Sequence, residues 1–215
     1  MPEHKISYQT QKTYSTLNEI SDNTEYIWFV CHGIGYLSRY FITYFLVLNP
    51  EKHYIIAPQA PSKYYQDKNY KHIGASWLTR EETQMEMKNN IAYFNEIYKK
   101  EIRPHSNKKL IVLGYSQGVS VAMRWIAYSK IACETLIIHS GGIPEELKPE
   151  DFDGLHFKPC LIYGKSDPYI DSKRAKEEHR KADNLFGTRL EVKNFEGAHE
   201  VSKAIIRQFD SPAAE

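Results

Sequence analysis

The residues best suited to chemistry are a serine, an aspartate and a histidine, each placed just beyond a strand pattern. Residues 110–118 read Leu-Ile-Val-Leu-Gly-Tyr-Ser-Gln-Gly. Four apolar residues suit a strand buried on both faces, and a serine between two glycines suits a sharp reversal that leaves its hydroxyl at the tip. At about 7% glycine usage, GxSxG arises by chance in roughly one chain of this length in fifteen, so its context decides. The context is a strand entering the motif and a helical pattern, QGVSVAMRWIAY, leaving it. That arrangement thrusts a nucleophilic Ser116 above the end of its strand, at a helix N-terminus where negative charge is favoured.

A serine hydroxyl is a weak nucleophile at neutral pH and requires a base, itself oriented by a carboxylate. In a strand-turn-helix setting the expected chain order is serine, acid, histidine. His199 lies in FEGAHE, a glycine-containing loop between the last strand pattern and the last helical one. His139 ends a strand, His156 follows a charged turn and His179 sits among KEEHRK on a solvated helical face, so His199 is the candidate base. Asp167 follows the apolar run PCLIYG in YGKSDPYI, and the proline after it keeps it extended. Asp171 is the weaker candidate for the acid, because it is placed to cap the following helix. Acyl transfer also needs donors for a developing oxyanion. The N–H of Gln117 is one, and the glycine loop His32-Gly33-Ile34-Gly35, after the strand pattern EYIWFVC, offers another, with His32 read as a structural brace.

The elements that must position these residues alternate along the chain. Strand patterns fall at 25–31, 53–58, 109–115, 134–140, 159–164 and 188–195, with amphipathic segments between most of them. Parallel strands need crossovers of about a dozen residues or more, so the alternation predicts an α/β fold: a mostly parallel sheet with helices on both faces, in one domain over 1–215. Residues 1–18 read as an edge hairpin. The helical segment SRYFITYFLVLN follows the first strand. Thr79 with Glu82 reads as a capping box opening the second helix, whose Met87, Ile91, Phe94 and Tyr98 share a face. Residues 59–77, with Tyr64, Tyr65, Tyr70 and Trp77 among polar neighbours, show no period and read as a long loop of the kind that lines binding sites.

Composition narrows the partners. The 215 residues carry a net charge of +1 with basic residues dispersed, which argues against nucleic acid. The longest apolar runs fall far short of the roughly 20 residues of a membrane span, and no apolar leader opens the chain, so no membrane insertion and a cytoplasmic location are expected. Cys31, Cys133 and Cys160 form no CxxC pair and read as buried thiols, with no metal site and no cofactor.

Taken together, CHGIG, APQAP, SWL, GYSQG, HSGGIP, GKSDPYI and GAHE, in this order over residues 25 to 208, resemble the phospholipase/carboxylesterase branch of the α/β-hydrolases, which includes acyl-protein thioesterases. The resemblance implies an α/β-hydrolase fold with minimal or no lid. It implies a catalytic triad of Ser116, Asp167 and His199, and an oxyanion hole formed by the amides of Ile34 and Gln117. It further implies a carboxylesterase or thioesterase activity on a small acyl ester or thioester through an acyl-serine. Two departures fall on the substrate rim: Tyr36 stands where relatives usually carry an acidic residue, and Leu78-Thr79 follow the SW motif. Tyr36, Tyr64, Tyr65 and Trp77 are the candidate substrate-binding residues. Homodimerisation stays open. So do a serine peptidase of the same fold, with Arg39 or Arg80 anchoring a peptide terminus, and a binding module that keeps the pocket without turnover.

Overall fold

The computed structural model describes residues 1–210; residues 211–215, the end of the expected domain, lie outside the described residues. The most apolar runs become its central strands. β2 (Tyr26–Cys31) and β3 (His53–Pro58) are buried along their whole length, as are β6 (Lys109–Tyr115) after its first residue and β7 (Thr135–His139). β1 (Tyr14–Leu17), β8 (Lys158–Gly164) and β9 (Glu191–Phe195) complete a seven-stranded sheet in the order β1-β3-β2-β6-β7-β8-β9. Only β1 runs antiparallel to its neighbour.

Period-two alternation divides the core. Ile27, Phe29 and Cys31 of β2 face one side with Val112, Trp125 and Phe94, whereas Tyr26, Trp28 and Val30 face the other with Phe41, Phe45 and Ile206. Helices α2 (Thr83–Ile97), α3 (Gln117–Ser129) and α4 (Ser172–Phe186) cover the first side. The second side is covered by α1 (Ser38–Phe41), the 3-10 turn Ile42–Val47 that continues it, and α5 (Lys203–Arg207). Phe29, with no exposed surface, packs its ring 4.3 Å from Trp125 and 5.1 Å from Phe94, joining sheet to α3 and α2. Truncating such a residue to alanine costs about 3–5 kcal/mol.

After β1 at the edge, the chain passes to β2, moves to β3 on one side of it and then to β6 on the other. The strand order therefore reverses between β2 and β6, and in open parallel sheets ligands sit in the crevice at the carboxyl ends of such strands.

Four local expectations are corrected. Residues 1–13 contain no strand, so the edge hairpin is replaced by β1 alone, which finds its antiparallel partner in β3 rather than within its own segment. The segment after β2 is a short α-helix passing into a 3-10 turn rather than one helix. The capping box does not form: Glu82 takes φ 48°, α2 begins at Thr83, and the Glu82 carboxylate pairs with Lys5 at 2.7 Å instead. Within 59–77 the chain forms a β4 (Ser62–Tyr65) and β5 (Ile73–Ser76) antiparallel pair, so much of the expected loop is a ribbon.

Candidate active site

Ser116 stands between β6 and α3 with φ 52° and ψ −119°, a backbone conformation that costs a non-glycine residue about 1–3 kcal/mol. Its N–H donates to the His139 carbonyl at 2.9 Å, so the neighbouring strand end holds the turn. The glycine two residues on is a packing requirement, since α3 starts hard against the end of β2.

Asp167 follows β8 and is buried. Its Oδ1 accepts the Tyr169 N–H at 2.8 Å, and its Oδ2 lies 2.7 Å from His199 Nδ1. His199 Nε2 lies 3.0 Å from Ser116 Oγ. A carboxylate accepts only, so Nδ1 carries the proton and Nε2 is left to accept from the hydroxyl. The loop bearing His199 crosses the end of β8 so closely that a Cβ on Gly164 would lie 2.4 Å from the Ala198 carbonyl oxygen. Tyr115 and Tyr169 hold the imidazole from two sides, with ring centroids 5.2 and 4.8 Å away.

Two further histidines brace the site. His139 Nε2 accepts the Ser202 N–H at 3.3 Å, which leaves its Nδ1–H to donate to Ser140 Oγ at 3.1 Å. It thereby ties the serine turn to the segment after His199. Burial pushes its pKa down to about 3, so it is neutral. His32 Nε2 accepts the Ala60 N–H at 3.1 Å, its Nδ1 lies 2.7 Å from the Gly33 carbonyl, and burial lowers it to about 4. This is the bracing role expected of it.

The loop that His32 braces contributes Gly33, Ile34 and Tyr36 to a cleft of about 400 Å³ that also holds Ser116, Gln117 and His199. The N–H groups of Gly35 and Tyr36 donate to Ala75 and Gly33, whereas that of Ile34 has no acceptor among the described residues. Gln117 is the first residue of α3, so its N–H has no intrahelical acceptor either.

Of the candidate substrate-binding residues, Tyr36 lines the cleft and the others do not. Trp77 is corrected to a core residue. It has no exposed surface, its Nε1–H donates to the His32 carbonyl at 2.7 Å, and its ring packs against His32 and Phe94. Tyr64 and Tyr65 are exposed on β4, whose ribbon stands beside the glycine loop: the Gln66 amide donates to the Gly35 carbonyl at 2.7 Å.

Sequence reasoning missed several contributors. The Gln117 side chain accepts the Trp77 N–H at 2.8 Å and donates to the Leu78 carbonyl at 2.7 Å, fixing the strand-to-loop passage after β5. Tyr169, Arg174 and Gly141-Gly142 also line the cleft. The sequence signal for Gly141-Gly142 is the HSGGIP motif at a strand end, and that for Tyr169 is the GKSDPYI motif that also carries Asp167. Among the described residues no cluster of three or more His, Cys, Asp or Glu could hold a metal ion, and no helix is long and apolar enough to cross a membrane.

The phospholipase/carboxylesterase family model matches residues 13–211. Among solved structures, esterase PE8 superposes with a TM-score of 0.68 at 17% identity, covering 94% of this chain and 97% of its own. A phospholipase/carboxylesterase from Dyadobacter fermentans gives 0.64 at 20% identity, covering 95% and 97%. Acyl-protein thioesterase 2 of Zea mays gives 0.67 at 16% identity, covering 93% and 98%. At such identities the superpositions establish the α/β-hydrolase fold alone. No functionally curated protein matches the sequence.

Proposed function

The chain belongs to the phospholipase/carboxylesterase family, and we propose that it is a serine hydrolase that cleaves carboxylic esters or thioesters through an acyl-serine. The observation that carries this is the single imidazole of His199 bridging Asp167 at 2.7 Å and Ser116 at 3.0 Å. Ser116 Oγ attacks the carbonyl carbon while His199 Nε2 takes its proton, and Asp167 stabilises the imidazolium that forms. The carbonyl oxygen, now an anion, accepts hydrogen bonds from the N–H groups of Ile34 and Gln117. His199 returns the proton to the leaving alcohol or thiol as the tetrahedral species collapses. A water then attacks the acyl-serine, giving its proton to His199, and the acid leaves as Ser116 recovers its hydrogen.

The strained φ of Ser116 and the available amides of Ile34 and Gln117 support the same reading. Each oxyanion donor is worth a factor of about 100 to 1,000 in rate. The test is hydrolysis of p-nitrophenyl esters from acetyl to dodecanoyl by the wild type and by Ser116→Ala. Turnover that disappears in the variant is the expected result; a folded wild type inert toward every ester, or a variant that keeps its rate, would overturn it.

A further inference from the structure

The cleft contains one feature that ester cleavage does not use. Arg174 lines it together with Ser116 and His199, and no aspartate or glutamate is among the lining residues. The third residue of α4, Arg174 stands at the end of a helix where the macrodipole disfavours a cation. Its guanidinium is nevertheless held there. Nη1 donates to the Tyr169 carbonyl at 2.9 Å, and Nη2 lies 3.3 Å from the position a Cβ on Gly142 would take. The group thus occupies the wall that the missing side chain of Gly142 leaves open.

The nearby carboxylate accounts for only part of it. Glu178 is buried, but its Oε2 accepts the Ile143 N–H at 2.8 Å, and Lys181 approaches its Oε1 at 3.6 Å. Arg174 Nε forms an i,i+4 ion pair with that Oε1 at 3.9 Å, and neither cation lies within hydrogen-bond reach of it. That ion pair engages the Nε side of the guanidinium, and the N–H groups of Nη2 have no acceptor among the described residues. A guanidinium offers planar donors matched to a carboxylate, and a cleft with no acid among its lining residues leaves the Nη2 end open to a ligand.

We propose that Arg174 selects substrates bearing a carboxylate, so that the preferred ester is an anion such as the half-ester of a dicarboxylic acid. This deepens the serine-hydrolase reading and rests on it. The carboxylate can reside on the acyl part or on the leaving group, and the two sources are separable. Mono-p-nitrophenyl adipate, compared with its methyl ester, places the charge on the acyl part. p-Acetoxybenzoate, compared with methyl p-acetoxybenzoate, places it on the leaving group.

The readout is the ratio of kcat/KM for the charged over the neutral member of each pair. The expected result is a ratio above one in one arm that falls about tenfold in Arg174→Gln, the low end for a hydrogen bond to a charged group, and recovers in part in Arg174→Lys. A ratio at or below one in both arms, or one that Arg174→Gln leaves unchanged, overturns the proposal. A wild type that cleaves neutral esters but fails this comparison removes only the role of Arg174. A folded wild type inert toward all esters removes the hydrolase reading. Binding then still tests Arg174: an NMR titration of adipate into Ser116→Ala is expected to show affinity about tenfold weaker when Arg174→Gln is added, and equal affinity overturns the role.

Discussion

Gly118 packs its Cα against the Cys31 carbonyl: a Cβ on Gly118 would lie 2.0 Å from that oxygen. The oxygen is backbone at the end of a buried strand, so no side-chain rotation relieves the clash. Gly118→Ala is therefore expected to displace the start of α3 and Ser116 with it. The cost should be about 3 kcal/mol or more, a fall of roughly 6–12 °C in Tm for a chain of this size, with ester turnover lost more steeply than stability. Thermal melts and rates on the same preparation check it, and an unchanged Tm would contradict the packing.

Asp167→Asn separates geometry from charge. The Tyr169 N–H requires an acceptor, so the asparagine oxygen takes the place of Oδ1 and its NH₂ faces His199 Nδ1. The imidazole must then carry its proton on Nε2, where it cannot take one from Ser116. A fall of about 10³- to 10⁴-fold in kcat, with little change in Tm, is expected; an asparagine variant within tenfold of the wild type would exclude the proposed role of Asp167.

Gln117→Ala removes an acceptor from the Trp77 N–H and a donor from the Leu78 carbonyl. The Leu78 carbonyl keeps the Ser76 hydroxyl as a donor at 2.9 Å, so the Trp77 N–H is the group left unpaired; that costs about 1–3 kcal/mol, which a shift in the urea midpoint will report. Because the backbone N–H of residue 117 is retained, kcat should suffer less than it does in Asp167→Asn.

Acid will destabilise the fold through two buried imidazoles. Burial lowers His32 to about 4 and His139 to about 3, whereas in the unfolded chain a histidine titrates near 6.5. Between those values the unfolded chain binds more protons than the folded one. Their contribution to stability is therefore complete above about pH 6.5 and declines as pH falls toward the folded-state values. Urea unfolding at pH 7, 6 and 5 should show the decline. His139→Gln, which can still accept from Ser202, should flatten the slope by about one proton.

The meeting of Ser116, Asp167 and His199 is legible in the sequence because Ser116 and Asp167 each follow an apolar run that a buried strand explains, His199 follows the mixed pattern of the edge strand β9, and parallel strands bring their carboxyl ends to one rim. The sheet is legible for the same reason. Trp77 is not: a tryptophan amid polar residues gives no sign of whether it turns out to a ligand or inward, and the His32 carbonyl that draws it in is 45 residues away. The capping box misled because Thr79 and Glu82 satisfy a local rule that a left-handed Glu82 defeats. Arg174 is hidden in a helix rich in charge, where spacing cannot distinguish a solvated cation from one held by a carbonyl five residues earlier.

The three free cysteines carry a practical consequence. Cys31 lies inside β2, Cys160 inside β8, and Cys133 between α3 and β7, all buried. Burial raises Cys133 and Cys160 to about 12 and Cys31 well above its ordinary value, so none presents a thiolate to solvent in the native fold. A thiol-specific label must wait for the protein to open. Its rate of incorporation is thus a built-in clock, able to distinguish loosening of the turn around Cys133 from rupture of the sheet that shelters Cys31.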